Sequence, residues 1–118
     1  MDFDRFTIAL LILRPDAPHL DEEKAAALQD AHLAHLADLH EAGHLLAAGP
    51  LPGADNRTFR GLNVFRADVE RARELSERDP MVLAGRFSVE VLPWMIPAGA
   101  ITFSPTRFPR SLADAEGD

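Results

Sequence analysis

The stretch "QDAHLAHLADLHEAGHLLAAGP", residues 29–50, contains most of a helix, its stop and the strand that follows. From 21 to 42 the chain is rich in Ala, Leu and Glu and has no glycine or proline, which suits a helix better than any other segment. Asp21 reads as the N-cap, with Glu22 and Glu23 beside the positive end of the helix dipole. Gly43 reads as the C-terminal stop. "HLLAAGPL" (44–51) then reads as a strand, ended by Pro50 and Pro52.

Upstream, "RFTIALLIL" (5–13) is an apolar run of strand length suited to burial on both faces, and "RPDAP" (14–18) breaks it. Downstream, "PGADNRT" (52–58) is turn material and "FRGLNVFR" (59–66) a third strand. Asp68 caps a second helix over 69–78. "DPMVLAG" (79–85) reads as a short helical turn stopped by Gly85, and "RFSVEVLPW" (86–94) as a fourth strand. The order βαββαβ is an α+β, ferredoxin-like arrangement. Two helices cover one face of such a sheet, so the other face calls for a partner and a homodimer is expected. Residues 1–97 form the expected domain and 98–118 a C-terminal extension. In that extension "AGAITF" (98–103) is read as a further short strand and the last dozen residues as mobile.

Composition narrows the function. The net charge of −7 argues against nucleic acid as a partner. Arg66, Arg71, Arg73 and Arg78 alternate with Asp68, Glu70, Glu74 and Glu77, which reads as a solvated face of mixed charge. The absence of cysteine excludes disulfides and thiolate metal sites. The start "MDFDRF" lacks the basic region of a signal peptide, and no apolar run reaches the length of a membrane span. A soluble cytoplasmic protein without a cofactor or membrane contact is the expectation.

Four of the five histidines, His32, His35, His40 and His44, lie in the opening stretch. With about 100° per residue and Leu28 as origin, Leu39, His32, Ala25, Leu36 and Leu33 span roughly 20° to 140°. His32 is therefore at the middle of the apolar stripe. Asp30, Ala34, Ala37 and Glu41 fall opposite. His35 and His40 lie on the stripe's shoulders and His44 beyond the helix, so these three read as exposed or half-exposed. A buried imidazole needs partners for its ring nitrogens. His32 is thus either an interior structural histidine or a pocket histidine. A third reading makes His32 and His35, with Asp38, part of a metal site, but no H-E-x-x-H accompanies them. "ERDPM" (77–81) is the other unusual spot: Asp79 reads as a turn cap, and as the carboxylate that orients His32 if this turn packs on the helix.

The strings "AHLAHLADLHEAGHLLAAGPLPG" and "RDPMVLAGRFSVEVLPW", with Ala48-Gly49-Pro50, Asp79-Pro80 and Ala84-Gly85 at these separations, resemble the YCII-related family over residues 5–94. The resemblance implies a dimeric α+β barrel of ferredoxin-like subunits and a His–Asp active site. By motif the pair is His32 and Asp79, with Gly49, Pro50 and Met81 in the substrate pocket and no metal. It also implies acid–base chemistry on a small cyclic molecule. A relative in aromatic breakdown performs dehydrochlorination, and muconolactone isomerases share the barrel. Many relatives carry Arg-Pro where this chain has Gln29 and Asp30, and an aromatic where it has Met81. The extension past Trp94 is placed to cover a pocket or a dimer edge. The competing expectation is a non-catalytic ligand-binding or structural dimeric module.

Overall fold

The computed structural model describes residues 1–53 and 58–117. Its elements are β1 (Phe3–Leu13), α1 (Glu22–Glu41), β2 (Leu45–Pro50), β3 (Phe59–Phe65), α2 (Val69–Glu77), α3 (Pro80–Leu83), β4 (Phe87–Pro97) and α4 (Leu112–Glu116). The four strands form one antiparallel sheet of order β2-β3-β1-β4, the ferredoxin-like topology expected from the element order. The turn expected over 52–58 lies for the most part outside the described residues.

Local chemistry accounts for the element ends. The carboxylate of Asp21 accepts the Lys24 N–H, and that of Asp68 accepts the Arg71 N–H. Gly43 (φ 85°) and Gly85 (φ 74°) adopt the left-handed conformation that ends α1 and releases the chain into β4. Strand β4 runs three residues beyond its expected end, through Pro93 to Pro97. It is an edge strand, where half of the N–H groups have no partner in the sheet and proline is tolerated. The short strand expected over 98–103 does not form. Gly99 (φ 83°) turns the chain there, and its N–H bonds to the Asp4 carboxylate.

The helices cover one face of the sheet. Ala9, Phe65 and Val91 from the strands meet Leu36 and Leu39 of α1 and Ala72 and Leu75 of α2. Beside this core, Leu11, Met81 and Phe87 form a second cluster under α3. Among the described residues no helix lies on the opposite face. Phe6, Val64 and Ile96 are buried on it, among the half-buried Ile8 and Trp94, and Leu92 is exposed. β1 is thus apolar on both faces, as its sequence suggested.

The extension past β4 spans both faces. Phe103 meets the ring of Phe6 edge-on at 5.2 Å, whereas Phe108 stacks on His40 at 4.0 Å and packs on the helix-side core. Arg110 pairs with both Asp38 and Glu41 of α1, and the Leu112 N–H bonds to Asp30. Ser111 caps α4. Residues 107–116, within the tail read as mobile, are therefore tied to α1. The same contacts correct the helical wheel at one residue. Ala37, sorted to the water side, is buried, and its helix neighbours Asp30, His40 and Glu41 all bond to the tail.

The Arg110 backbone N–H, and after it the Arg107 side chain, holds the Asp114 carboxyl below its ordinary value of 3.8. A lowered folded value means that this carboxylate stabilises the docked tail above pH 3.8 and stops doing so as acid protonates it below that value. The protection of the amides of residues 112–116, taken relative to an unstructured chain at the same pH, is accordingly expected to be high at neutral pH and to be lost in strong acid. Asp114→Asn should show fast exchange already at neutral pH; unchanged exchange would mean that this contact does not hold the tail.

Candidate functional site

His32 projects from the middle of α1 toward the sheet and is 7% exposed. Asp79 ends the loop after α2 and is 1% exposed. Their meeting joins a helix to a turn 47 residues away: His32 Nδ1 lies 2.7 Å from one Asp79 carboxylate oxygen and 3.0 Å from the other. The second oxygen also accepts the Met81 N–H at 2.9 Å, so Asp79 caps α3 with the same carboxylate that orients the imidazole. The geometry makes Nδ1 the donor, which leaves Nε2 as the acceptor. Phe87 sets its ring edge-on to the imidazole, centroids 6.2 Å apart.

His32 lines a cavity of about 520 Å³, within the range of small-molecule sites. The walls are mostly apolar: Leu11, Leu33, Leu36, Ala48 and Phe87 form the inner part, and Gly49 and Pro50 the rim beside β2. Among the described residues His32 Nε2 has no hydrogen-bond partner, so the basic nitrogen is available on the cavity side. Asp79 does not reach the cavity; it lies behind the ring.

Of the residues implied for the pocket, Gly49 and Pro50 line it, and Met81 does not. Met81 follows the proline that opens α3, and that single turn directs its side chain inward against Leu11 and Phe87. The structure also separates the histidines. His35 Nε2–H donates to the Leu75 carbonyl at the end of α2. His40 Nδ1–H donates to the Leu45 carbonyl at 2.7 Å, and its Nε2 accepts the Thr106 N–H at 3.1 Å. His44 takes no part in the cavity. His32, His35 and Asp38 have three different partners (Asp79, Leu75 and Arg110), so the metal set considered from the sequence is not brought together.

Two polar contributions to the cavity were missed in the sequence. Gln29, one helical turn before His32, shares its face and was legible as such. Asn63 on β3 is 3% exposed, and a polar residue between Leu62 and Val64 was a signal that could have been read. The extension past Trp94, expected to cover a pocket or a dimer edge, lines the cavity with Phe108, Pro109, Leu112 and Ala115, although no pattern in the sequence singles out these four.

Comparison with known proteins adds to this geometry. Residues 8–95 match the model of the YCII-related domain. Protein YciI of Escherichia coli O6:H1 is 38% identical over 80 residues, covering 61% of this chain and 82% of YciI. Protein YciI of Shigella flexneri gives the same figures. Among solved structures, 5-chloro-2-hydroxyhydroquinone dehydrochlorinase (TftG) of Burkholderia phenoliruptrix, in complex with 2,5-dihydroxybenzoquinone, is similar with a TM-score of 0.53. That match covers 75% of this chain and 92% of TftG at 23% identity, a likeness of fold.

Asp79→Ala removes a charge-assisted hydrogen bond from a buried imidazole together with the cap of α3. It is expected to cost about 2–4 kcal/mol in urea unfolding. Asp79→Asn keeps an oxygen able to accept the Met81 N–H, so its cost should be less than half of that. Equal costs would show that the ring contact, and not the cap, is the main contribution.

Proposed function

The chain belongs to the YCII-related family, and within it we propose a small enzyme that uses His32 and Asp79 for acid–base chemistry on a small cyclic substrate. The observation that carries this reading is the 2.7 Å contact between two buried side chains at the wall of an apolar cavity. Asp79 fixes the ring so that Nε2 takes a proton from carbon or from a hydroxyl group, and its charge stabilises the imidazolium that results. The proton then returns to another atom in an isomerisation. In an elimination, the electron pair left by the C–H bond forms a double bond as a leaving group departs. No serine lines the cavity among the described residues, so a covalent acyl intermediate has less support. The dehydrochlorination performed by TftG on the same fold supports the elimination branch.

A second reading has its own support. Asp79 already caps α3, so the pair serves the fold whether or not it moves protons, which favours a non-catalytic ligand-binding or structural module. Turnover separates the two. With small lactones and chlorinated hydroquinones as substrates, His32→Asn is expected to lower kcat by about a hundredfold or more while circular dichroism stays unchanged. Absence of turnover by the wild-type protein, or activity that survives in the variant, would favour the module.

We assign the apolar sheet face to a second copy of the chain, giving a homodimer with two sheets face to face. The support is the patch formed by Phe6, Ile8, Val64, Leu92, Trp94 and Ile96, which Phe103 of the tail covers in part and which has no helix over it among the described residues. Leu92 is exposed in the single chain, so Leu92→Lys should leave the subunit folded. It is expected to shift sedimentation from dimer to monomer; a dimer that persists would assign the interface elsewhere.

A further inference from the structure

Asn63 is a buried polar residue of the cavity wall that the proposed proton transfer does not use. It sits on the helix side of β3, opposite Ala9 of β1 and Ala48 of β2 in the sheet register. Neither alanine offers a polar side chain. Its own side chain is nearly fully buried, lines the cavity and makes no hydrogen bond among the described residues. The residue keeps only 3% of its surface exposed and lines the cavity, so its amide is offered to the cavity rather than to the fold, and an aliphatic residue would suit the strand better. Buried polar groups are as a rule hydrogen-bonded, so this one calls for a ligand.

We propose that Asn63 is a substrate-positioning residue of the site, and that the ligand is a small oxygenated ring, with a carbonyl beside the carbon that loses its proton in the reacting form. The proposal rests on the acid–base reading of His32 for its chemical step and on Asn63 alone for binding. When the C–H bond breaks, the proton goes to His32 Nε2. The electron pair moves into a new C=C bond as the π bond of the neighbouring carbonyl breaks, and that π pair becomes negative charge on the carbonyl oxygen. The Asn63 side-chain N–H donates to that oxygen, an interaction that strengthens as the charge develops. The same amide accepts a hydrogen bond from a ring hydroxyl in the ground state. The apolar walls around it, Leu11, Leu36 and Phe87 among them, hold the remainder of the ring.

The test uses the full chain, with phenol and 2-cyclohexenone as oxygenated probes and toluene as the oxygen-free ring of the same size. In NMR titrations the Asn63 side-chain N–H signals, identified by their loss in Asn63→Leu, are expected to shift with both oxygenated rings. Asn63→Leu should bind those two at least tenfold more weakly, bind toluene no worse, and unfold at no lower a denaturant concentration than the wild type. Equal binding of phenol and cyclohexenone by wild type and variant overturns the proposal. So does failure of the wild type to bind either, and so does a variant less stable than the wild type, which would make Asn63 structural. The two readings fail separately. Asn63-dependent binding without turnover of any lactone or chlorinated hydroquinone sinks the acid–base function and leaves the binding role of Asn63 standing. Turnover and binding that ignore Asn63→Leu do the reverse.

Discussion

The contact between His32 and Asp79 ties together parts of the chain that apolar packing alone would leave free to slide. Leu36 and Leu39 anchor α1 on the sheet through contacts that have no directional preference. A carboxylate at 1% exposure does have one: unless it is hydrogen-bonded its burial is costly. Asp79 meets that demand with two donors, the His32 ring and the Met81 N–H. The rotation of α1 about its axis and the seat of α3 are therefore set by one side chain. The direction in which His32 presents its free nitrogen follows from that.

The cavity exists because the elements around it stop short. α1 turns away at Gly43, β2 ends at Pro50, and β3 contributes Gly61 where a larger side chain would press on Leu11, the built Cβ lying 3.2 Å from Leu11 Cδ1. These residues leave a concave apolar surface that the 8–95 family region does not close by itself. The tail closes it from outside, with Phe108 and Leu112 as wall and Arg110 as the tie to α1. A polar face of α1 that looks solvated in isolation thereby becomes the mooring for an apolar lining.

The fold was legible because its signals are local. Asp21, Asp68 and Asp79 each stand one residue before a helix and each accepts a hydrogen bond from that helix's first turn. Gly43 and Gly85 mark where helices yield to strands. The position of His32 in the apolar stripe was equally legible, since a helix repeats its faces at a fixed angle. Its partner was legible only as a candidate, because a capping aspartate and an orienting aspartate have the same sequence signature. Met81 was misread for a related reason: motif spacing locates a residue along the chain, whereas the direction of its side chain depends on the turn that carries it.

By itself, then, the sequence determined the order of elements, their ends, the two-faced apolar central strand and the histidine turned inward. These depend on hydrogen bonds and periodicities within a few residues of one another. Only the tertiary structure decided that Asp79 reaches His32, that Asn63 lies between two alanines with no side-chain partner among the described residues, and that residues 108–115 wall the cavity. Those contacts join segments many tens of residues apart. They follow from how two helices and a tail settle on a common sheet, a balance of packing and desolvation that no local pattern records.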